Sequence, residues 1–429
     1  MEKIKYPEDY LNKIICADCM VAMKDIPDNS IDSLISDVPY GLSFLGKRWD
    51  YDVPSVEVFK EMLRVAKPGA TALIFAGART QHRIATNIED AGWILKDCIM
   101  WIFGQGFPKS TDISKQIDKQ SGMERKVVGI RKSDGWRSGK TSSVGQYLIN
   151  YGPYIPITEP ATPEAKLWNG WHSHGLKPAY EPIIVAMKPN EGSYAENALK
   201  WGVAGLNIDG GKIGINQIKA HHAPKGTFAG GEERKSDTNY YNNLGRFPAN
   251  LIHDGSDEVV ACFPESNSGN GKASTYDKFG GQWGKGKQIR NEDYGDSGNA
   301  SRFFKSIIYQ AKASKSERNA GCENMEEKID CDRNPKLNSA NVPMNRSNNP
   351  KQNIHPTVKP LKLMEYLCIL TKTPTGGIVL DPFLGSGTTA MAAKKTGRNF
   401  IGIEQDKDYC KIAEARINAI KVENKLPFN

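Results

Sequence analysis

The run Ile31-Asp-Ser-Leu-Ile-Ser36, followed by Asp37-Val38-Pro39-Tyr40-Gly41, has the form of a buried strand that delivers a carboxylate, a proline and an aromatic ring to its C-terminal end. An amino group on a purine or pyrimidine is conjugated with its ring and is a poor nucleophile. A catalyst acting on it must hold both N–H bonds and turn a lone pair toward the donor, and two fixed acceptors do this. The Asp37 carboxylate supplies one. The backbone carbonyl of Val38 supplies the other, because Pro39 biases the residue before it toward an extended conformation. Tyr40 offers a face on which an extruded base stacks, returning about 1–3 kcal/mol against the few kcal/mol that flipping costs. Taken alone, the same residues also read as a strand ending in an ordinary Asp-x-Pro turn.

A second motif decides between these readings. In Ile378-Val-Leu-Asp381-Pro382-Phe383-Leu-Gly385-Ser386-Gly387-Thr388-Thr389 an apolar strand runs into a glycine-rich turn that opens a helix. The next strand, Phe400 to Ile403, ends in Glu404. The glycines let the backbone approach a ligand closely, and Glu404 is placed to accept hydrogen bonds from ribose hydroxyls. The loop lacks the lysine of a phosphate-binding P-loop and carries Asp381 instead. That charge pattern suits a cationic amino-acid and sulfonium ligand better than a pyrophosphate, and S-adenosylmethionine has that character.

Together the two motifs resemble those of the DNA amino-methyltransferases. Asp37 to Tyr40 is similar to their Asp-Pro-Pro-Tyr catalytic motif, and Asp381 to Thr389 to their cofactor motif. The catalytic motif comes first here, the order of the group called β. Cys16-Ala-Asp18-Cys19-Met20 resembles the acidic turn that holds the cofactor's adenine, and His355-Pro-Thr357-Val-Lys359-Pro360 resembles the segment preceding the cofactor motif. The resemblance implies a Rossmann-like fold, double-stranded DNA as substrate, and S-adenosylmethionine as cofactor, held by Asp18, Cys19, Asp37, His355, Thr357, Lys359, Pro360, Asp381, Pro382, Phe383, Gly385, Ser386, Gly387, Thr388, Thr389 and Glu404. Val38 replaces the first proline of the usual motif but keeps its carbonyl. Asp at the first motif position is more usual among adenine-N6 enzymes, and Ser among cytosine-N4 enzymes of this order, so Asp37 favours N6 of adenine. N4 of cytosine is the alternative, followed by RNA, a protein glutamine, or a catalytically silent DNA binder. Members are often homodimers, and any restriction nuclease partner is expected as a separate chain.

These side chains need a sheet to place them. Ile14 to Ala17, Ser33 to Ser36, Ala70 to Ala76 and Ile99 to Phe103 read as buried strands, and Pro54 to Ala66 as a crossover helix on Val58, Phe59, Met62, Leu63 and Ala66. At the other end, Gly377 to Leu380 reads as strand, Gly387 to Thr396 as helix, Phe400 to Ile403 as strand and Tyr409 to Ile420 as helix. The expected fold is therefore α/β: a mostly parallel Rossmann-like sheet assembled from both chain ends, with an inserted target-recognition region. Residues 1–103 form the catalytic half, 104–170 a basic insertion, 171–188 a further sheet strand around Glu181 to Met187, 189–350 the target-recognition region and 351–429 the cofactor-binding half.

The chain has 429 residues with 57 Lys and Arg against 49 Asp and Glu, a formal charge of +8 that permits a polyanionic partner without proving one. The polar start of the chain, the scattered cysteines and the shortness of the apolar runs predict a reduced, cytoplasmic protein with no membrane span. Lys272, Lys278, Lys285, Lys287 and Arg290 interleave with Tyr276, Phe279 and Trp283, a mixture that fits gripping DNA and equally a solvated loop. Cys16 and Cys19, Cys322 and Cys331, His172 and His174, and His221 and His222 do not complete a four-ligand set, so no metal is expected.

Overall fold

The computed structural model describes residues 6–44, 47–104, 106, 110–132, 154–214, 218–219, 241–242, 245–267, 297–307, 315–328 and 351–420. Its central feature is a sheet of β1 (Lys13–Cys16), β2 (Ile31–Ser36), β3 (Ala66–Phe75), β4 (Ile94–Ile102), β5 (Tyr180–Met187), β6 (Leu251–His253), β7 (Lys305–Ser306), β8 (Ile378–Asp381) and β9 (Asn399–Glu404). Across the sheet the order is β1, β9, β8, β2, β3, β5, β4, β6, β7. Every neighbouring pair is parallel except the two made by β5, which runs antiparallel to both β3 and β4.

All six residues of β2 are buried, as expected of a strand covered on both faces. Leu34 packs into one apolar cluster with Phe59, Met62, Ile84 and Ile88, and Ile35 into the other with Leu363, Leu367, Ala390 and Ile417. These partners come from helices on opposite faces: α1 (Val56–Val65) and α2 (Gln81–Asp90) on one side, and α3 (Leu361–Leu370), α4 (Thr388–Lys395) and α5 (Lys407–Asn418) on the other. α1 stops where the chain turns directly into β3, before Pro68 and Gly69 can disturb it.

From β2 the chain proceeds through α1 to β3 on one side, and from β8 through α4 to β9 on the other. β8 and β2 are neighbours, with Val379 opposite Ser33 and Leu380 opposite Leu34. The winding direction thus reverses between these two strands. Ligands of such sheets bind outside the carboxyl ends of the strands at a reversal of this kind.

The sheet is α/β and mostly parallel, as expected, but it is not built from the chain ends alone. β6 and β7 come from the Gly- and Asn-rich middle and extend the sheet beyond β4. Strands of three and two residues are too short to show a periodicity. The helices α2 and α3 were also not legible in the sequence. α2 buries only Ile84 and Ile88, and α3 is apolar nearly all round.

In the basic insertion, helix Ile113–Gln120 and the hairpin Val127–Lys132 with Tyr154–Thr158 are tied together by Asp118. Its carboxylate accepts from the backbone of Ala161 and Thr162, the Thr162 hydroxyl and Arg125. Arg125 is therefore engaged inside the protein. The cluster from Lys272 to Arg290 lies outside the described residues, as do His221, His222 and Cys331. Among the described residues no helix is long and apolar enough to cross a membrane, and no group of three His, Cys, Asp or Glu side chains is arranged to hold a metal.

Candidate active site

Asp37 follows β2 directly, and Phe75 and Glu181 lie on the two strands next along the sheet. The Tyr40 hydroxyl lies 2.8 Å from Asp37 Oδ1 and 3.3 Å from Glu181 Oε2. Lys359 Nζ bridges the same groups, 2.8 Å from Asp37 Oδ1, 3.1 Å from Glu181 Oε2 and 3.1 Å from the Tyr40 hydroxyl. Its side chain is only 10% exposed and its charge lies over the rings of Tyr40 and Phe75. Burial alone would pull the ammonium toward its neutral form. The Asp37 and Glu181 carboxylates more than offset this and raise its pKa. Burial, then the same carboxylates, pushes the Tyr40 phenol well above its ordinary value, so Tyr40 keeps its proton.

The resemblance implied a cofactor contact for Lys359. In the structure its ammonium contacts Asp37, Glu181 and the Tyr40 hydroxyl. Glu181 was read only as part of a strand, because nothing in one sequence says that the reversed strand brings its first residues to this edge.

The loop after Tyr40 is held by Asp50. Its carboxylate, buried to 2% exposure, accepts the backbone N–H groups of Tyr40, Gly41, Leu42 and Phe44 at 2.7–3.3 Å. Gly41 has a φ of 66°, in the left-handed region that lets the loop close around this oxygen pair. Val38, the departure from the usual motif, is 3% exposed, and its side chain packs in the apolar cluster under α1. Among the described residues no backbone N–H donates to its carbonyl, which keeps the acceptor role available.

In the glycine-rich turn, Asp381 is 3% exposed and accepts from Ser36 Oγ and Thr389 Oγ1, each at 2.6 Å, and from Phe383 N at 3.1 Å. Burial pushes its pKa up to about 6. It braces the turn from below and ties it to the end of β2. Gly385 and Gly387 have φ of 55° and 84°. A Cβ on Gly385 would lie 2.7 Å from His355 Nε2, and one on Gly387 would lie 2.9 Å from the Ala413 methyl, so only bare backbone fits. Glu404 Oε2 accepts the Gly385 N–H at 2.8 Å, and burial raises its pKa.

Arg416, fully buried, reaches across from α5 to the carbonyl and hydroxyl of Ser386 and to Thr388 Oγ1. No sequence motif pointed to Arg416. Its helical position faces the turn only after α5 packs on α4.

Beside the turn, Asp18 caps the short helix that buries Cys19, accepting from Met20 N at 2.8 Å, and Cys16 pairs opposite Glu404. Asp18 and Glu404 therefore end adjacent strands. His355 donates its Nδ1–H to the Thr357 carbonyl, stacks on Trp49 at 6.3 Å between ring centroids, and meets Tyr409 edge-on at 4.5 Å. Burial drives its pKa down to about 4, so the ring is neutral. Pro360 caps α3, Pro382 and Ser386 are buried in the turn, and Thr388 and Thr389 are buried at the start of α4.

The backbone cradle, the acidic side chains of Asp18 and Glu404 near its rim, and the charge of Asp381 beneath it fit a ligand with a nucleoside end and a cationic end. The adjoining carboxylate, carbonyl and aromatic ring fit an aromatic amine.

A family model described as DNA methylase, covering N6 and N4 enzymes, matches residues 31–415. The chain belongs to that family. The methyl donor of these methylases is S-adenosylmethionine. Among curated relatives, the type II methyltransferase M2.DpnII of Streptococcus pneumoniae is 54% identical over 65 residues, 15% of this chain and 24% of that protein. M2.LlaDCHI of Lactococcus lactis subsp. cremoris is 52% identical over 64 residues, 15% and 23% respectively. The matches thus span about a quarter of each relative's length. Among solved structures, the M1.HpyAVI complex with S-adenosylmethionine aligns at 16% identity over 94% of this chain and 98% of that one, with a TM-score of 0.37. The cytosine-N4-specific PvuII DNA methyltransferase aligns at 13% identity over 96% and 87%, with a TM-score of 0.40.

Proposed function

We propose that this methylase transfers a methyl group from S-adenosylmethionine to the exocyclic N6 of an adenine flipped out of double-stranded DNA. The observation that carries this reading is the juxtaposition at the winding reversal. Asp37, Val38 and Tyr40 stand at the end of β2, and the bare glycine-rich turn stands at the end of its neighbour β8.

Asp37 Oδ and the Val38 carbonyl accept the two N–H bonds of the target amine, rotating its lone pair out of conjugation with the ring. Tyr40 holds the ring plane, and Asp50 holds Tyr40. Asp18, Glu404 and the turn from Asp381 to Thr389 hold the cofactor, whose sulfonium supplies an already activated methyl group. Positioning therefore does most of the catalytic work. As the carbon–nitrogen bond forms, positive charge develops on the amine, and the Asp37 carboxylate in contact with it stabilises that charge. The surplus proton then leaves to solvent or to that carboxylate. Neither a metal nor a covalent enzyme intermediate is required. Asp37 as the first motif residue supports adenine over cytosine.

The test is single-molecule sequencing, with nucleoside mass spectrometry, of DNA from cells expressing the wild-type chain or Asp37→Ala. N6-methyladenine at a defined sequence in wild type alone supports the proposal. N4-methylcytosine keeps the chemistry and overturns the base. No modified base in either overturns the DNA assignment.

A further inference from the structure

The contacts of Lys359 follow an order that the motif does not specify. Its ammonium joins the Asp37 carboxylate at 2.8 Å to the Glu181 carboxylate at 3.1 Å. Glu181 enters from the reversed strand β5, with β3 between it and β2, so the two acids face each other across the width of β3. Phe75, the last residue of β3, floors the gap, with its ring 4.9 Å from the Lys359 ammonium. Read along the strand ends, the site presents an acceptor, a donor and an acceptor.

A flipped base is read along its Watson–Crick edge. Adenine presents there the N6 amino donor, the N1 acceptor and a C2–H that accepts nothing. Cytosine presents the N4 amino donor, the N3 acceptor and the O2 carbonyl, a strong acceptor. The first two positions are alike in the two bases, and the third distinguishes them. A carboxylate there tolerates the weakly polarised C–H of adenine. It would be forced against the O2 lone pairs of cytosine, a repulsive element of the kind that specificity requires.

We propose that Asp37, Lys359 and Glu181 form an acceptor–donor–acceptor array that reads the Watson–Crick edge of the flipped base and selects adenine against cytosine. The inference rests on the adenine reading above and assigns it a physical cause. With no base bound, the Lys359 ammonium occupies the acceptor on Asp37. When the base enters, the amine takes that oxygen, and Lys359 donates to the ring nitrogen while keeping its ion pair with Glu181. The Tyr40 hydroxyl, 3.1 Å from Lys359 Nζ and 3.3 Å from Glu181 Oε2, holds the pair in place.

Two measurements test it. In the first, purified wild type and Glu181→Gln methylate unmodified genomic DNA, and digested nucleosides are counted. Gln offers an amide N–H to O2, so the ratio of N4-methylcytosine to N6-methyladenine should rise at least about 10-fold over wild type. In the second, kcat/KM is compared on duplexes carrying adenine or 1-deazaadenine, which lacks the ring acceptor, at the methylated position. Wild type and Lys359→Arg should lose roughly 10- to 100-fold on the analogue, the range for a hydrogen bond to a charged group, while Lys359→Met should treat the two bases nearly alike.

Isothermal titration with S-adenosylmethionine confirms that each variant is folded. An unchanged product ratio in Glu181→Gln, or a full analogue penalty in Lys359→Met, overturns the array. A Lys359→Met protein that is inactive on both bases is decided by Lys359→Arg, whose failure to keep the penalty also overturns it. Wild type yielding N4-methylcytosine instead sinks the adenine reading itself, an outcome visible in the first measurement independently of either variant.

Discussion

The carboxylate of Asp50 accepts the backbone N–H of Tyr40 at 2.7 Å, and with three further N–H groups it closes the loop that carries the Tyr40 ring. Asp50 touches neither base nor cofactor in the proposed mechanism. Its role is to fix where Tyr40 stands.

Removing that acceptor should therefore affect methyl transfer more than cofactor binding. Asp50→Ala leaves several half-buried N–H groups without a partner, each costing about 1–3 kcal/mol when desolvated. We expect kcat to fall by at least about 100-fold, with S-adenosylmethionine affinity within about 3-fold of wild type. Single-turnover kinetics beside isothermal titration measures both. Equal losses in the two would show that Asp50 supports the whole fold rather than this loop.

Glu404 should behave in the opposite way. It ends β9 and already accepts the Gly385 N–H at 2.8 Å, so in the proposed mechanism its loss removes a cofactor acceptor and loosens the turn together. Glu404→Ala is expected to raise the dissociation constant for S-adenosylmethionine by roughly 10- to 100-fold, while the rate at saturating cofactor falls less. Titration calorimetry and kcat at saturation give the comparison.

Arg416 supplies a stability test. Its guanidinium holds the Ser386 carbonyl, the Ser386 hydroxyl and the Thr388 hydroxyl within the protein. Arg416→Met keeps much of the volume but leaves those oxygens without their donor, so unfolding free energy should drop by about 2–4 kcal/mol, with weaker cofactor binding. Urea denaturation with and without S-adenosylmethionine would reveal both effects.

Asp381 and His355 carry opposite pH dependences. The Asp381 carboxyl, at about 6 when folded against an ordinary 3.8, contributes stability that is fully present below the lower value and lost as pH rises through the higher. The His355 ring, at about 4 against an ordinary 6.5, contributes stability present above the higher value and lost as pH falls through the lower. In the shared window the two oppose each other. Asp381→Asn leaves the His355 dependence uncompensated. The stability gap between wild type and this variant should therefore widen by about 2 kcal/mol between pH 7 and pH 4.5. Urea midpoints at the two pH values measure it, and a gap that narrows on acidification would contradict the assignment.

By itself the sequence determined the chemistry-bearing motifs and the strands that deliver them. The apolar run of β8 and the Ile31, Leu34 and Ile35 core positions of β2 mark buried strands, a left-handed turn calls for glycine, and a residue before proline is extended, so these strands and the turn at Gly385 and Gly387 are written locally. The order Asp37 before Gly385 also forces the two chain ends together if one site is to use both. Tertiary structure alone decided which other side chains share the site. Glu181 reaches Lys359 only because β5 runs against its neighbours, Asp50 reaches Tyr40 only through a loop closed on itself, and Arg416 reaches Ser386 only after two helices pack. Each of these contacts depends on where separate elements lie in space, which no local spacing encodes.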